Sequence, residues 1–116
     1  QCLLSGSWRS DDGGRVVVFV LEPDGSFRGS YLPGSAAGDS QLLASPLKGM
    51  QQDTALAAQP VFSFVVHWRQ RGVPGGRTTA FVGQCYVDEA GEETLHALWL
   101  LRDEVENPGQ NWKATR

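Results

Sequence analysis

Apolar and polar residues alternate along most of this chain, and short groups of glycine, proline and acidic residues interrupt the alternation. With a period of two, two segments each place one set of apolar and aromatic side chains on a single strand face. These sets are Phe62, Phe64, Val66 and Trp68, and Leu95, Ala97, Trp99 and Leu101. Each segment carries its tryptophan near the C-terminal end of the strand. Large rigid rings at strand ends suit a pocket that holds an apolar ligand in the mouth of a barrel.

Turn signals divide the chain into strands. Pro23-Asp24-Gly25 is one such turn, because proline presets φ and glycine supplies a positive φ. The predicted strands cover residues 3–9, 15–22, 26–31, 41–48, 59–69, 77–88 and 92–102, and the last begins at 111. Residues 49–58 suit turn or strand, and residues 103–109 suit one helical turn that Pro108 stops. The pattern predicts an all-β fold, an eight-stranded antiparallel up-and-down β-barrel, with room for one small ligand.

Length and composition predict a single domain over residues 1–116. A chain of 116 residues buries one core but not two, and it contains no internal repeat or linker. The net charge of −3 argues against a nucleic-acid partner, which requires a basic face. No apolar stretch approaches the roughly 20 residues of a membrane-spanning helix, so we expect no membrane partner. Gln1 is compatible with a mature N terminus left by removal of a signal peptide.

The two cysteines, Cys2 and Cys85, leave two alternatives open. Both thiols are free if the protein is intracellular, whereas a disulfide between the first strand and a late strand implies an oxidising compartment. In the chain-entropy model, a disulfide closing so long a loop stabilises the fold by about 4 kcal/mol. No Cys-x-x-Cys motif or Cys/His cluster is present, so we expect no metal site.

The remaining polar residues do not form a catalytic pattern. His67 and His96 fall on the faces opposite Trp68 and Trp99, which favours surface or subunit-interface roles over metal binding or catalysis. The adjacent pair Asp11-Asp12 lacks an accompanying nucleophile or metal set. We therefore expect that the protein is not an enzyme.

The strand face opposite the predicted cavity is also apolar. It carries Val18, Val20, Val82 and Leu100 when the period of two is kept. A barrel with an apolar outer face needs partner subunits to cover it, so the pattern favours a multimer. Trp8 is interpreted as core or barrel-end packing, since aromatic side chains are usually buried.

Seven short segments form an ordered set along the whole chain. They are Gly6-Ser7-Trp8, Phe27-Arg28-Gly29-Ser30-Tyr31, Ser45-Pro46-Leu47, Gln59-Pro60, Phe81-Val82-Gly83-Gln84-Cys85, Leu98-Trp99-Leu100-Leu101-Arg102 and Asn111-Trp112-Lys113-Ala114-Thr115-Arg116. In this order they resemble the avidin and streptavidin family, and the avidin branch more closely. The resemblance implies a barrel that binds biotin as a ligand with no cofactor, a homotetramer, secretion, and a disulfide between Cys2 and Cys85.

The resemblance also implies the apolar part of a biotin site. Biotin's fused rings and valeryl chain are apolar and call for aromatic walls. Carried over by position, the walls are Trp68, Phe81, Trp99 and Leu101. Trp112 is expected to reach the pocket of a neighbouring subunit and cap it, which would make self-association part of binding.

The polar contacts are implied in the same way. Tyr31 and Ser10 are expected to donate hydrogen bonds to the ureido oxygen, and Thr79 is expected to lie near the ring sulfur and a ureido nitrogen. The backbone of Ala37 and Gly38 is expected to contact the ligand carboxylate. A guanidinium from the loop after Trp68, that of Arg77 or of Arg71, would pair with the same carboxylate.

The first loop departs from the family. Its N-x-L-G-S pattern is replaced by Ser10-Asp11-Asp12-Gly13-Gly14, so Asp12 stands in place of an apolar wall residue and Gly14 offers no side chain. Pro33 stands where relatives often have a polar residue. The Asn or Asp that contacts a ureido nitrogen in relatives lies beyond the position of Arg116.

These departures weaken the expected affinity. Each hydrogen bond lost in a dry pocket costs about 1–3 kcal/mol. Biotin and streptavidin bind near the non-covalent limit, at about −18 kcal/mol, so two or three losses leave affinities between about picomolar and micromolar. We therefore expect biotin binding that is weaker than in avidin. The alternative is a protein of the same fold that has lost biotin and binds another small apolar ligand or acts as an interaction module.

Overall fold

Nine antiparallel strands make up two sheets in the computed structural model, which describes residues 2–34, 42–72 and 76–116. The strands are β1 (Gly6–Arg9), β2 (Arg15–Leu21), β3 (Ser26–Leu32), β4 (Leu42–Leu43), β5 (Ser45–Gln51), β6 (Val61–His67), β7 (Arg69–Gln70), β8 (Arg77–Val87) and β9 (Glu93–Asp103). The main sheet has the order β1-β2-β3-β5-β6-β8-β9, and β4 pairs with β7 in a small second sheet. Because neighbours in the main sheet follow chain order, the predicted all-β, antiparallel up-and-down fold is confirmed.

Strand β5 extends further than the sequence pattern predicted, since it continues to Gln51. Its residue Gly49 lies opposite Phe27 of β3, and both belong to the concave side of the sheet. A Cβ at Gly49 would lie 2.7 Å from the Phe27 ring and would also meet the backbone oxygen of Ser63. The glycine thus provides the space in which the fully buried Phe27 ring packs across the neighbouring strand.

The end of the chain departs from the prediction. A 3₁₀ helix spans Pro108–Lys113, where the pattern predicted that Pro108 stops a helical turn and that a strand begins at residue 111. Both predictions were wrong, because the fixed φ of proline and its missing N–H suit the first turn of a helix. Pairing with β9 begins only after the helix, where Thr115 lies opposite Arg102. There the Asp103 N–H donates to the Ala114 carbonyl at 2.8 Å, so the eighth position of the barrel begins at residue 114.

A buried apolar core covers the concave face of the main sheet. Its members are Leu4, Val16, Val18, Phe27, Tyr31, Leu47, Phe62, Phe64 and Val66. The prediction that Val18 faces outward was therefore wrong. A bulge at Phe19 explains the error, because Val18 pairs with Gly29 whereas Val20 pairs with the next residue, Arg28. The extra residue reverses the alternation, so Val18 is 3% exposed and Val20 is 38% exposed.

The convex face carries exposed apolar side chains on neighbouring strands. They are Met50, Val61, Val82, Leu98 and Leu100. Val82 pairs with Leu98, and Ala80 pairs with Leu100, so these side chains form a continuous stripe across β8 and β9. The predicted apolar character of Val82 and Leu100 on the outer face is thus present in the structure.

A disulfide between Cys2 and Cys85 links the N-terminal segment to β8, as the resemblance implied. The two Cα atoms are 6.3 Å apart and both cysteines are fully buried. The same segment is held on β5, where the Leu4 N–H donates to Gln51 Oε1 at 3.0 Å. The segment before β1 therefore crosses one end of the curled sheet and covers the core there. In the part of the chain described, no helix has both the length and the apolarity needed to cross a bilayer.

Replacing both cysteines by serine tests how much the disulfide stabilises the fold. We expect the free energy of unfolding to fall by about 2–5 kcal/mol, because the unfolded chain is released from a loop spanning most of its length. Denaturant titration of the double variant and of the wild type, with and without reductant, measures the difference. A loss smaller than about 0.5 kcal/mol would contradict the expectation.

Candidate functional site

A cavity of about 1670 Å³ borders the concave face and extends around the edge strand β9, so that Val82 and Leu98 also border it. This volume exceeds the roughly 300–1,000 Å³ of most small-ligand pockets. Within the described ranges, β1 and β9 are the two edges of the main sheet and do not pair with each other, so the cavity is open between them. The predicted site residues that border it are Ser10, Tyr31, Trp68, Arg77, Thr79, Phe81, Trp99 and Leu101.

One wall of the cavity comes from residues on and next to β6 and β8. Their register places Phe64 opposite Phe81, and the two rings stack with centroids 4.7 Å apart. Trp68 follows β6, and its indole N–H donates to Thr79 Oγ1 at 2.7 Å. Thr79 is buried, so this bond satisfies the indole and leaves its ring as an apolar surface. Aromatic side chains and one buried hydroxyl thus line this wall.

Four further aromatic residues border the cavity that the predicted site did not include. They are Trp8, Phe62, Phe64 and Tyr86. Phe62 and Phe64 share the strand face of Trp68, so the period of two already contained the signal. Trp8 was interpreted as packing, and its indole N–H does donate to the Leu4 carbonyl at 3.0 Å. The ring is only half-buried and faces the cavity as well as the core.

Tyr31 lies where the core meets the polar end of the cavity. Its ring packs edge-on against Trp68, with centroids 4.9 Å apart. Its hydroxyl donates to Asp12 Oδ2 at 2.7 Å and lies 3.0 Å from Ser10 Oγ. Oδ1 of Asp12 accepts the Gly14 N–H at 2.8 Å. The first loop therefore brings a carboxylate to the phenol that the resemblance assigned to the ureido oxygen.

This arrangement shifts the pKa of both Tyr31 and Asp12. Burial, together with a smaller effect of the neighbouring Asp12, raises the pKa of Tyr31 to about 12 against the opposing effect of Ser10. For Asp12, burial acts to raise the pKa, but hydrogen bonds from Tyr31, the Gly14 N–H and Ser10 outweigh it and lower the pKa below its ordinary value. At neutral pH the pair is therefore a neutral phenol that donates to an ionised carboxylate.

Arg77 borders the cavity at the start of β8, directly opposite Asp103 at the end of β9. Its Nε donates to Asp103 Oδ1 at 2.6 Å, and Arg116 contacts the other carboxylate oxygen at 3.1 Å. The hydrogen bond from Arg77 is the main reason that the pKa of Asp103 is lowered. This pair uses one of the five guanidinium N–H donors of Arg77, so the group is oriented at the cavity edge with donors to spare.

The other predicted site residues are placed differently. Trp112 lies in the 3₁₀ helix, is 81% exposed and does not border the cavity of its own chain. Trp99 borders the cavity but is 58% exposed, because β9 is the edge strand of the main sheet. Ala37 and Gly38 lie outside the described residues.

The two histidines differ in position, since His96 borders the cavity and His67 does not. His67 is exposed, and its Nδ1 lies 3.0 Å from the Thr78 hydroxyl. The His96 ring packs edge-on against Tyr86, which also borders the cavity. Among the described residues, no three His, Cys, Asp or Glu side chains are grouped closely enough to hold a metal ion.

Comparisons with known proteins agree on one family. The model of the Avidin family matches residues 1–116. Avidin of Gallus gallus is 37% identical over 116 residues, which cover 100% of this chain and 74% of that protein. Avidin-related protein 4/5 of Gallus gallus is 38% identical, with 100% and 73% covered.

Solved structures give the same result. The crystal structure of xenavidin superposes with a TM-score of 0.83 at 36% identity, covering 99% of this chain and 91% of that chain. The X-ray structure of a biotin binding protein from chicken superposes with a TM-score of 0.83 at 44% identity, covering 99% and 89%.

The raised pKa of Tyr31 predicts a pH-dependent loss of stability. Because its pKa rises from 10.0 to about 12 on folding, the folded state keeps a proton that the unfolded chain releases. This contribution is present in full below pH 10.0 and is lost as the pH rises to about 12. We expect denaturant titrations to show a steeper fall in the free energy of unfolding over this window for the wild type than for Tyr31→Phe. Equal slopes would show that Tyr31 is not the group responsible.

Proposed function

Because the chain belongs to the avidin family, we propose that it binds biotin in the cavity on the concave face of its main sheet. Members of this family bind biotin without catalysing a reaction, so the prediction that the protein is not an enzyme is confirmed. Biotin is accordingly a ligand and not a cofactor. We further propose that residues 1–116 act as one binding domain.

The contact between Tyr31 and Trp68 is the observation that carries the proposal. It places a phenol hydroxyl beside an indole whose own N–H is already satisfied by Thr79. An apolar ring system with one compact polar head matches such a surface, because the rings displace water from the indole and the head meets the hydroxyl. Biotin has this construction, with the ureido group as its head.

The remaining parts of biotin have corresponding residues. Phe81, Trp99 and Leu101 continue the apolar wall on β8 and β9 and suit the fused rings and the valeryl chain. Arg77, oriented by Asp103, offers its remaining N–H donors to the ligand carboxylate at the cavity edge. The proposed ligand-binding set also keeps Ser10 and Thr79 near the ureido ring, and Ala37 and Gly38 near the carboxylate.

We propose that binding is weaker than in avidin. The phenol proton of Tyr31 is already donated to Asp12, so a ureido oxygen must compete with a carboxylate for it. Gly14 contributes no side chain, and a Cβ there would lie 2.8 Å from the Tyr31 ring. The same observations favour the second candidate, a protein of this fold that has lost biotin and binds another small apolar ligand or acts as an interaction module.

Self-association and secretion complete the proposal. The exposed stripe containing Val82, Leu98 and Leu100 suits burial against another copy of the chain. In a homotetramer, the exposed Trp112 of one subunit would cover the open cavity of a neighbour. The buried disulfide between Cys2 and Cys85 suits an oxidising compartment, which supports a secreted protein.

Calorimetric titration with biotin tests the central proposal. We expect a dissociation constant tighter than about micromolar for the wild type. Tyr31→Phe should weaken binding about 5- to 150-fold, because it removes one hydrogen bond, worth about 1–3 kcal/mol, from the polar end of the cavity. Tyr86→Phe is the matched control, since the Tyr86 hydroxyl is exposed and donates to Gln84 Oε1, so its loss leaves the contact of Tyr31 with Asp12 intact. No heat with biotin at millimolar concentration would favour the second candidate function.

Trp112→Ala tests the contribution of a neighbouring subunit. Burying a large aromatic side chain contributes about 1.5–3 kcal/mol, so we expect biotin to bind about 10- to 150-fold more weakly. Leu56→Ala is the matched control, because Leu56 is 80% exposed and Trp112 is 81% exposed. Native mass spectrometry of both variants reports the oligomeric state. Unchanged affinity for Trp112→Ala in an intact tetramer would contradict the capping role.

A further inference from the structure

Asp12 places a negative charge at the polar end of the cavity. One carboxylate oxygen accepts the Tyr31 hydroxyl at 2.7 Å and the other accepts the Gly14 N–H at 2.8 Å. In the described part of the chain, no lysine, arginine or histidine forms an ion pair with Asp12. Each carboxylate oxygen has two lone pairs, so the group can still accept hydrogen bonds from a ligand.

The hydrogen-bond direction at Tyr31 favours ligand donors over ligand acceptors. A phenol has one proton, and here that proton points at Asp12. What Tyr31 presents towards a ligand is therefore its oxygen lone pair. Ser10 Oγ lies 3.0 Å from the same oxygen, so a hydrogen bond from Ser10 occupies only one of its two lone pairs. An acceptor head group such as a ureido oxygen must displace the carboxylate, whereas a donor head group leaves the pair intact.

The loop is built around this carboxylate. A Cβ at position 14 would lie 2.8 Å from the Tyr31 ring, 2.9 Å from the Leu32 carbonyl and 3.0 Å from Asp12 Oδ1. Glycine is therefore required at position 14 for the backbone N–H to reach Asp12 with the carboxylate and the phenol in contact. Asp12 and Gly14, which departed separately from the family pattern, are two parts of a single arrangement.

The surrounding charges act in the same direction. The other charged groups that border the cavity are Arg9, Asp11, Arg77, Glu93, Asp103 and Glu104, and the imidazole of His96 on β9 borders it as well. Acidic groups outnumber basic ones, and Arg77 is paired with Asp103. Hydrogen bonds also keep the pKa of Asp12 below its ordinary value, so the carboxylate stays ionised at neutral and alkaline pH.

We propose that Asp12 determines ligand specificity and makes the cavity select planar cationic heads, amidinium or guanidinium groups carried on an apolar body, over neutral ureido heads. Such a head donates charge-assisted N–H bonds to the Asp12 carboxylate, and a further N–H meets the lone pair of Tyr31. The apolar body lies against the aromatic wall already described. This inference deepens the proposed function, because it names the ligand class of the same site and rests on that cavity binding biotin-like molecules.

2-Iminobiotin is the probe, because it replaces the ureido oxygen of biotin by an imino nitrogen and forms a guanidinium on protonation. We would titrate wild type, Asp12→Leu and Asp12→Asn with biotin and 2-iminobiotin between about pH 6 and 9, where guanidinium groups stay largely protonated. A substitution that damages the cavity in general weakens both ligands by a similar factor, so it leaves the ratio of the two dissociation constants unchanged. Asp12→Leu should shift this ratio about 10- to 100-fold towards biotin at neutral pH.

The pH profile separates a charge contact from a structural role. In the wild type, affinity for 2-iminobiotin should be nearly independent of pH, because the cation is the form that binds. In Asp12→Leu only the neutral base fits, so affinity should rise about tenfold per pH unit through one released proton. Asp12→Asn, which keeps the side-chain shape, should show the same rise even if the leucine variant fails to fold.

Asp11→Asn is the charge-matched control, since it removes a carboxylate one residue away that has no hydrogen bond to Tyr31 among those described. Its ratio should change less than about threefold, because Asp11 makes no described hydrogen bond at the phenol and only its salt-screened charge acts on the ligand head. If biotin binds but the ratio and the pH profile are the same with and without Asp12, the inference is wrong and the proposed function stands. Binding of 2-iminobiotin without biotin would support the inference and remove the biotin proposal. Binding of neither by the wild type would overturn both.

Discussion

A continuous set of aromatic contacts on the concave face of one sheet determines both how this chain folds and where it can bind. The Phe27 ring lies against Phe64, with centroids 6.2 Å apart, and Phe64 in turn stacks on Phe81 at 4.7 Å. Phe27 is fully buried, whereas Phe81 borders the cavity. The same rings thus stabilise the core and shape the binding surface, so the two functions share one face of the sheet.

This sharing limits where polar groups can stand. Tyr31 is almost completely buried, and only its hydroxyl reaches the polar end of the cavity. A buried hydroxyl needs a hydrogen-bond partner, and Asp12 supplies it from the first loop. Asp12 thus satisfies the Tyr31 hydroxyl in the absence of ligand, and a ligand must either match this carboxylate or displace it. Ligand preference in this barrel is therefore coupled to the internal hydrogen bonding of its first loop.

The two faces of β9 show a different constraint. This strand carries Trp99 towards the cavity and Leu98 and Leu100 towards the outside, and all three are largely exposed. Only the short segment after the 3₁₀ helix pairs with the other edge of β9. Large apolar side chains exposed on both faces of one strand are unusual in an isolated subunit and suit contacts made by another copy of the chain.

The alternation along the sequence determined the fold class and most of the cavity wall. Phe62, Phe64, Val66 and Trp68 do share the concave face, and Phe81 and Thr79, which the resemblance supplied, lie opposite Phe64 and Val66 on β8. The period of two is a local property of extended backbone, so it is readable wherever a strand is regular. The period of two fails at Phe19, where a bulge puts Val18 and Val20 on opposite faces of the sheet. The bulge depends on how β2 pairs with β3, so the sequence of β2 alone does not show it.

The polar end of the site could not be obtained in this way. The sequence shows Asp12, Gly14 and Tyr31 as three separate features, and two of them were visible only as departures from the family pattern. Their contact depends on the first loop meeting the end of β3, a juxtaposition that joins residues 19 positions apart in sequence. The pairing of Arg77 with Asp103 likewise follows from the register of β8 and β9. The sequence by itself determines the local periodicity of the strands. The tertiary structure decides which hydrogen-bonding groups of separate segments pair, because strand register and loop path determine which polar atoms meet.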